Sequence, residues 1–362
     1  MKNNNLIKYL VIFCIVSILS IYSSTFILSI NYKTIWIKQI IWYLISFLLL
    51  FLIYKKKKGF FYKYGTILYI IGNMLLILVL FIGTNTNGSN AWINIFGLSF
   101  QPSEFIKIPL VIVLANILSN EDEKDRSLKH ETMVIIKSSL ITLIPFILTF
   151  LEPDTGNAII YIIILITMLF IYKIRYRWFI ISFLLLSLFL GIFLYLYFIK
   201  QDLFINIFGT NFFYRMDRLL QWKNNEGMQL NNALTSSGSA SLVGYGIGKT
   251  PIYFPEAQTD FIISIIFSNF GYILSTIFLI ITFFFDVLLI KICFRRKRRN
   301  RYLISGIISS IIFSQIQNIG MNLGLLPITG ITLPFISYGG SSLITYMVMI
   351  GLILNINKKT SH

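Results

Sequence analysis

The chain contains a series of continuous apolar runs, each about 20 residues long, separated by short polar or basic segments. A run of that length can cross the hydrocarbon core of a bilayer as a helix, in which the backbone satisfies its own hydrogen bonds. The runs are continuous rather than alternating, which disfavours a transmembrane β-barrel. Only 12% of the residues are charged, about half the fraction usual in soluble domains. We therefore predict an all-α polytopic membrane protein with a single integral membrane domain, residues 1–362.

The apolar runs predict about ten transmembrane helices and one large loop, 200–260, between the seventh and the eighth. The predicted spans are 6–30, 35–54, 60–82, 104–118, 133–151, 157–172, 178–199, 261–290, 303–324 and 338–356. Basic clusters fall in alternate connections, at 55–58, 124–129, 173–177, 295–301 and 358–359. Because Lys and Arg in short loops stay cytoplasmic, both termini are predicted to be cytoplasmic. The polar loops 83–103, 152–156, 200–260 and 325–337 are then predicted to face outward.

The formal net charge of +17 comes mainly from these clusters, so it indicates membrane topology and predicts no nucleic-acid partner. Cys14 and Cys293 lie far apart in or near apolar spans. His130 lies in a basic loop, and His362 is the last residue. This distribution predicts no disulfide framework and no histidine or cysteine metal site.

The loop 83–103 ends in the letters QPSE, with a proline at the start of a helix and an acid near the positive end of its dipole. Glu104 and Lys107 are three residues apart and can pair on one helix face. Trp92 is an interfacial aromatic residue of the same loop. Two interpretations stay open for these residues: helix capping and structural pairing, or direct contact with a substrate.

The sequence pattern also predicts roles for two further acids, Asp154 and Asp286. Asp154, in the helix-entry turn Pro-Asp-Thr-Gly, is predicted to cap the span that begins near residue 157, with a functional carboxylate as the alternative. Asp286 is a lone acid towards the predicted cytoplasmic end of the eighth span, where an interfacial or pairing role is favoured.

Two outward loops carry binding features. In the loop 200–260, Arg215 and Arg218 either pair with nearby acids or bind an anionic headgroup such as a diphosphate, which suits the planar guanidinium fork. The last outward loop is apolar yet rich in proline and glycine. Irregular backbone at membrane depth must be buried in protein or line a cavity, so this loop is predicted to wall the outward-facing site.

The most informative stretch is 244–261, GYGIGKTPIYFPEAQTDF, which ends where the eighth helix enters the membrane. At that position the helix dipole favours the anion of Asp260, whereas burial near lipid opposes its ionisation. A carboxylate tuned in this way can accept a proton from a hydroxyl group. The alternative interpretation is a simple helix cap formed by Thr259 or Asp260.

Four motifs, in order along most of the chain, resemble the SEDS family of bacterial cell-wall proteins, and the short cytoplasmic tails resemble its RodA branch. The motifs are NGSNAW with QPSEFIK, EPDTG, PEAQTDF, and NIGMNLGLLPITGITLPFISYGGSS. The resemblance implies a polymerase of peptidoglycan glycan strands that acts on lipid II at the outer face of the cytoplasmic membrane. It also implies a class B penicillin-binding protein as the transpeptidase partner, with other elongasome or divisome membrane proteins.

By the same resemblance, Asp260 is the catalytic residue, because it is the acid of the family's TDF motif. The candidate substrate-binding or supporting residues are Trp92, Glu104, Lys107, Arg215, Arg218, Gln229, Glu256, Thr259, Ser337, Gly339 and Gly340. The sequence departs from the family pattern at Ala240 and Ser241, at Gln258, and at Ser268 and Asn269.

The leading hypothesis is glycosyl transfer in which Asp260 deprotonates or orients the attacking sugar hydroxyl. The bond from C1 to the diphosphate of a second lipid-linked disaccharide would break through an oxocarbenium-like state, stabilised by Arg215, Arg218 or a bound divalent cation. A lipid-linked precursor flippase is one alternative, although few charges lie along the spans. A non-catalytic scaffold for the transpeptidase is another, motivated by the departures from the family pattern.

Overall fold

The structure is a computed structural model that describes residues 4–29, 32–57, 59–86, 89–95, 98–121, 127–210, 213 and 227–358. In this part of the chain, ten helices are long and apolar enough to cross a membrane, which confirms the predicted all-α polytopic class. The predicted order of the spans is also confirmed, with the large connection between the seventh and the eighth.

The described helices and strands follow one another along the chain. The helices are α1 Asn4–Ser24, α2 Ile35–Lys55, α3 Phe60–Ile82, α4 Pro102–Phe105, α5 Lys107–Glu121, α6 Leu128–Leu151, α7 Thr155–Tyr172, α8 Tyr176–Ile199, α9 Gln201–Phe208, α10 Gly227–Gly238, α11 Ile262–Phe294, α12 Arg298–Asn322 and α13 Gly340–Asn357. The strands are β1 Thr84–Thr86, β2 Ser89–Ile95 and β3 Leu98–Phe100. Together, α4 and α5 form the fourth span, Pro102–Glu121.

Three span boundaries differ from prediction by five residues or more. The first helix ends at Ser24 rather than at residue 30. The fifth span begins at Leu128, after Ser127 accepts a hydrogen bond from the backbone of His130, and the ninth begins at Arg298. The apolar runs therefore underestimated the lengths of the fifth and ninth spans. Long basic side chains can continue a helix past the apolar core while keeping their charges in water.

The spans divide into an inner group and a peripheral group. α12 packs against α5, α7 and α11, whereas α13 lies along α2. Most of α5, α12 and α13 is buried, and α12 turns serine and amide side chains into the interior. In contrast, the most apolar stretch of α8 has no buried residue. The polar side chains of α12 are thus placed where they can hold neighbouring segments.

The loop 83–103 forms a small antiparallel sheet, which the sequence pattern did not predict. β2 pairs with β1, with Thr84 opposite Trp92, and with β3, with Ile93 opposite Phe100. Alternation within β2 buries Ala91 and Ile93. The sheet leads through Gln101 directly into α4.

Helix α11 is broken at Gly271, whose φ of 72° and ψ of 178° lie outside the helical region. The segment 241–246 fills the break. The amides of Tyr245 and Gly246 donate to the carbonyls of Ser268 and Asn269, at 2.9 and 3.0 Å. The next two amides after Gly271 donate to the carbonyls of residues 241 and 242, at 3.2 Å each. The backbone groups that the break leaves without helical partners are therefore satisfied by this segment.

Candidate functional site

The residues 256–260 form a turn whose backbone is held by the last loop. The carbonyl of Gln258 accepts a hydrogen bond from the amide of Tyr338, at 2.9 Å. The carbonyl of Thr259 accepts one from the hydroxyl of Ser337, at 2.6 Å. Ser337 also accepts from the amide of Leu333, at 2.9 Å. The predicted supporting role of Ser337 therefore has a structural basis: it holds the residue that precedes Asp260.

Two amides of α12 hold the backbone of Asp260. The side-chain amides of Asn318 and Asn322 donate to its carbonyl oxygen, at 3.0 and 2.8 Å. Both asparagines are buried, with 0% and 2% exposure. The carbonyl oxygen of the Asn322 side chain also accepts from the amide and the hydroxyl of Ser264, at 3.1 and 2.9 Å. A residue of α12 therefore caps the first turn of α11.

This contact shows that the helix-cap interpretation of Thr259 and Asp260 was wrong. α11 begins after Phe261, and no side chain of its own cap position bonds the helix. The hydroxyl of Thr259 donates instead to the carboxylate of Glu256, at 2.7 Å. Because Asn322 satisfies the first turn from another helix, the carboxylate of Asp260 is released from capping.

The carboxylate of Asp260 is half-buried, and no hydrogen bond or ion pair joins it to the residues that the structure describes. Burial, with a smaller contribution from the charge of Glu256, raises its pKa to about 7. A carboxyl group with that pKa is partly ionised at neutral pH and can both accept and release a proton. A pKa raised in this way is one reason to treat Asp260 as a candidate acid or base.

Glu256 shapes the turn through its backbone and its side chain. Its φ of 54° lies in the left-handed region. Its carbonyl accepts from the amides of Thr259, Asp260 and Phe261, at 3.1 to 3.2 Å. Its carboxylate also accepts from the side chain of Gln258, at 3.2 Å. The departure Gln258 is thus a partner of the second acid in the turn.

The last loop, 325–337, lies against Asp260. Gly330, at a φ of 70°, is so close that a Cβ atom there would lie 3.9 Å from the carboxylate of Asp260. The irregular backbone of the loop is satisfied by α12: Gln317 donates to the carbonyl of Pro327 and Asn318 to that of Ile331, each at 2.9 Å. The loop therefore forms a fixed wall beside the carboxylate.

The EPDTG turn packs on the other side of the same loop. A Cβ atom on Gly156 would lie 3.0 Å from the carbonyl of Thr329 and 2.7 Å from the side chain of Ile331. Asp154 caps α7 by accepting from the amide of Asn157, at 3.2 Å, which confirms the predicted cap. The neighbouring Glu152 is fully buried, and burial together with the charge of Asp154 raises its pKa to about 9.

The second carboxylate oxygen of Asp154 joins three motifs. It accepts from Gln101, Ser103 and Asn157, at 2.9, 2.7 and 2.8 Å. The backbone amide of Gln101 in turn donates to Ser341 of the C-terminal motif, at 3.1 Å. The QPSE, EPDTG and GGSS motifs are therefore held together by side-chain hydrogen bonds.

Glu104 and Lys107 form the predicted ion pair, with 2.8 Å between carboxylate and ammonium. The Lys107 side chain is completely buried, and its ammonium lies 5.2 Å from the centre of the Tyr346 ring. A buried pair of this kind fixes the relative positions of α4, α5 and α13. A structural role is thus confirmed, and contact with a substrate stays a prediction.

Trp92, Gln229, Gly339 and Gly340 lie in or beside other elements of the fold. Trp92 is half-buried in β2, and Gln229 is exposed in the first turn of α10. Gly339 precedes α13, and a Cβ atom on Gly340 would lie 2.4 Å from the Trp42 ring, so Gly340 serves close packing. Arg215 and Arg218 lie outside the described residues.

Asp286, the lone acid for which an interfacial or pairing role is favoured, has a hydrogen-bond partner. With the side-chain amide of Gln315 oriented so that its nitrogen faces Asp286, that nitrogen donates to both carboxylate oxygens, at 3.1 and 2.7 Å. Ser268 and Asn269, two departures from the family pattern, bond Ser236 and Thr250, each at 3.0 Å. These departures therefore connect α10 and the glycine-rich segment to α11.

Among the residues that the structure describes, no group of three or more His, Cys, Asp or Glu side chains could hold a metal ion. A cation at the Asp260 turn would meet the carboxylates of Glu256 and Asp260 as its acidic donors. Sequence reasoning missed Asn318 and Asn322. The signal was available, because two amides four residues apart in an apolar helix face the same side.

The ten spans and the motifs gathered beside Asp260 define a polytopic membrane protein with its polar site at one end of the bundle. Residues 4–362 match the family model of the FtsW, RodA and SpoVE proteins, described as cell cycle proteins. The chain belongs to this family, the SEDS family that its motifs resemble.

Similar proteins include "Probable peptidoglycan glycosyltransferase FtsW" of Wigglesworthia glossinidia brevipalpis, 34% identical over 88% of this chain and 82% of that protein. "Stage V sporulation protein E" of Bacillus subtilis is 31% identical over 82% of this chain and 79% of that protein. Among solved structures, a chain of a peptidoglycan synthase complex matches with a TM-score of 0.78 and 22% identity, over 97% of this chain and 96% of that chain. The rod shape determining protein RodA of Thermus thermophilus matches with a TM-score of 0.71 and 23% identity, over 97% and 95%. These structures share the fold of this chain.

Proposed function

We propose that this chain is a peptidoglycan glycosyltransferase that polymerises glycan strands from lipid II in cell elongation or division, with Asp260 as its catalytic residue. Family membership and the names of the curated relatives support the activity. The observation that supports Asp260 as the catalytic residue is the contrast between its backbone and its carboxylate. The backbone of Asp260 is fixed by Asn318 and Asn322, whereas its carboxylate has no partner among the described residues.

In this proposal Asp260 acts as a general base. Its carboxylate accepts the proton of the attacking sugar hydroxyl, while the hydroxyl oxygen forms a bond to C1 of a second lipid-linked disaccharide. The bond between C1 and the diphosphate oxygen breaks, and the diphosphate leaves with the lipid. A pKa of about 7 suits this transfer, because the carboxylate is available near neutral pH and still basic enough to accept the proton.

The fixed turn supplies the positioning that such a transfer requires. A general base must lie within hydrogen-bond reach of the proton it removes, and small displacements reduce the rate. Ser337 holds the last loop against the turn, and Gly330 lies beside the carboxylate, which therefore borders a rigid wall. In the proposal, Arg215 and Arg218 stabilise the leaving diphosphate.

We propose that the site lies at the outer face of the cytoplasmic membrane and that both termini are cytoplasmic. Asp260 and Asn322 lie at one end of α12, whereas Arg298 and Arg299 lie at the other. Helices α2 and α13 each have one basic end, near Lys55 and Lys358. The opposite end of each helix approaches the site. This distribution follows the positive-inside rule.

A class B penicillin-binding protein is the proposed partner. The structural neighbour from a peptidoglycan synthase complex, which by its description coordinates polymerization and crosslinking, supports an assembly of this kind. The partner supplies the transpeptidase that crosslinks the strands made by this chain.

The test is polymerisation of purified lipid II by the full-length protein together with its transpeptidase. We expect Asp260→Asn to reduce the polymerisation rate at least about a hundred-fold, because the amide cannot accept the proton. Asp202→Asn, a matched change at an exposed acid of α9, should leave the rate unchanged. Equal rates for Asp260→Asn and the unmodified protein would exclude Asp260 as the base. Normal growth of a depleted strain that carries Asp260→Ala would favour the scaffold alternative.

A further inference from the structure

Two adjoining cavities lie at the basic end of the bundle, opposite the Asp260 turn. They have volumes of about 300 and 500 Å³ and share Gly59, Tyr62 and Arg299 among their lining residues. The first also contains Arg296, and the second contains Lys63. Arg299 lies in the first turn of α12, and the straight helix from Arg299 to Asn322 spans about 35 Å.

The partners that the structure shows for Arg296 and Arg299 carry no negative charge. The guanidinium of Arg299 lies 3.9 Å from the centre of the Tyr62 ring, and the tyrosine hydroxyl donates to Asn300, at 2.8 Å. Arg296 donates to the side chain of Asn357. Within the part of the chain that the structure describes, no carboxylate lies within ion-pair distance of Arg296 or Arg299.

One lining residue of each cavity also has a buried side-chain atom without a hydrogen-bond partner among the described residues. These atoms are the Nε of Arg296, a residue of the first cavity, and the side-chain oxygen of Asn116, a residue of the second. Buried polar atoms are normally satisfied, so such atoms beside a cavity indicate a ligand or water. The nitrogen of Arg296 is a donor with a positive charge, which requires an acceptor.

We propose that the cavity of Arg296, Arg299 and Tyr62 binds the phosphate of an anionic phospholipid headgroup. The two guanidinium groups supply the charge and the donors that a phosphate oxygen accepts. Tyr62 presents an apolar ring and a polar hydroxyl, the combination favoured at the membrane interface.

The position of the cavity identifies a lipid as the source of the phosphate. Its walls are the first turns of α3 and α12 and the last turn of α13, all of which are ends of membrane spans. Basic pockets between such helix ends are suited to anionic headgroups, whose acyl chains then follow the apolar helix surfaces. A lipid bound here would hold α3, α12 and α13 together at the end remote from Asp260.

The test compares lipid binding to the purified, delipidated full-length protein by native mass spectrometry. We expect phosphatidylglycerol to bind more tightly than phosphatidylcholine, whose headgroup has no net charge. Arg299→Gln should weaken phosphatidylglycerol binding about five-fold, and the Arg296→Gln/Arg299→Gln variant about twenty-five-fold, without weakening phosphatidylcholine binding. Arg295→Gln is the matched control, because Arg295 is exposed in the same segment and lines neither cavity.

Four results would overturn the proposal. They are equal binding of the two lipids to the unmodified protein, unchanged phosphatidylglycerol binding in Arg299→Gln, an equal loss in Arg295→Gln, and displacement of phosphatidylglycerol by millimolar inorganic phosphate. The last result would assign the cavity to free phosphate. Because the side chain of Arg299 is exposed, Arg299→Gln should fold, and it is the decisive variant if the double variant does not fold. Melting in lipid-free detergent shows whether each variant is folded.

Discussion

Two turns of this protein each place an aspartate before a membrane helix, yet the two carboxylates have opposite surroundings. Asp154 bonds the amide of Asn157 and three side chains, so its hydrogen-bonding capacity is used within the protein. Asp260 has its backbone fixed, and its carboxylate has no partner among the described residues. The difference arises because α7 is capped by its own turn, whereas α11 is capped by Asn322 of another helix.

This contrast supports different roles for one residue type at similar positions, a structural role for Asp154 and the proposed chemical role for Asp260. A carboxylate that accepts several hydrogen bonds, like that of Asp154, has its oxygens occupied within the protein. A carboxylate removed from such donors and partly buried has a raised pKa and is available to a substrate. The contrast can be broken by substitution at either turn.

The largest expected effect is at Asp260. Asp260→Asn should lose activity about a hundred-fold or more and yet melt at least as high as the unmodified protein at pH 8. The folded-state pKa is raised to about 7, so folding disfavours the anion, and the stability contribution of Asp260 falls as pH rises from its unfolded pKa towards 7. Thermal unfolding in detergent at pH 8 measures the melting temperatures of the two proteins. A clear drop in melting temperature would assign Asp260 a structural role like that of Asp154.

The second effect is at Asp154 and is one of stability. Asp154→Ala should lower the free energy of unfolding by about 2–3 kcal/mol, because it removes a helix cap and leaves Gln101, Ser103 and Asn157 without their acceptor. Activity per folded molecule should fall less than in Asp260→Asn. Chemical unfolding and the polymerisation assay measure the two quantities. An unchanged stability with abolished activity would reverse the assignment of the two turns.

A smaller effect is expected where the chain leading to the Asp260 turn meets α11. Gly244 has a φ of 77°, and a Cβ atom there would lie 2.4 Å from the amide nitrogen of Gly271. Gly244→Ala should therefore cost about 1–3 kcal/mol and expose the backbone around the break of α11. Hydrogen exchange should increase at residues 241–246 and 268–273 and stay unchanged at the Asp154 turn. Gly238→Ala is a suitable control, because a Cβ atom there meets nothing within 4 Å.

The smallest effect is a shift of the pH profile. Activity should rise with pH through about 7 as Asp260 becomes ionised. The charge of Glu256 raises the pKa of Asp260, so the isosteric Glu256→Gln should move the midpoint to lower pH. Initial rates across the profile measure the shift. A midpoint that moves to higher pH would contradict the proposed charge interaction.

Local patterns predicted the parts of this site that depend on neighbours in sequence. The apolar runs gave the spans, the spacing of Glu104 and Lys107 gave their ion pair, and the turn around Asp154 gave its cap. The contact of Asn322 with Ser264 joins residues 58 positions apart, and no local signal specifies it. Without that contact, Asp260 at a helix entrance could equally be a cap.

The sheet and the broken helix were missed for related reasons. The strands of 84–100 are short, and their pairing is visible only as alternation in β2. The break at Gly271 is satisfied by a segment about 25 residues earlier, whose glycines suggested turns but not a partner. Motif resemblance predicted Asp260 as the catalytic residue, whereas tertiary contacts explain why its carboxylate has no partner among the described residues.

The polarity of α12 has a consequence for how the protein is made. α5, α12 and α13 are the least apolar of the ten spans in the described part of the chain, and they are also the most buried. A span rich in serine and amide side chains gains little by entering lipid alone. During synthesis, α12 and α13 emerge last, when α5 and α7 can already offer them a surface. Membrane insertion of α12 and α13 should therefore depend on the earlier helices. Fragments without those earlier helices should be retained by the insertion machinery or degraded.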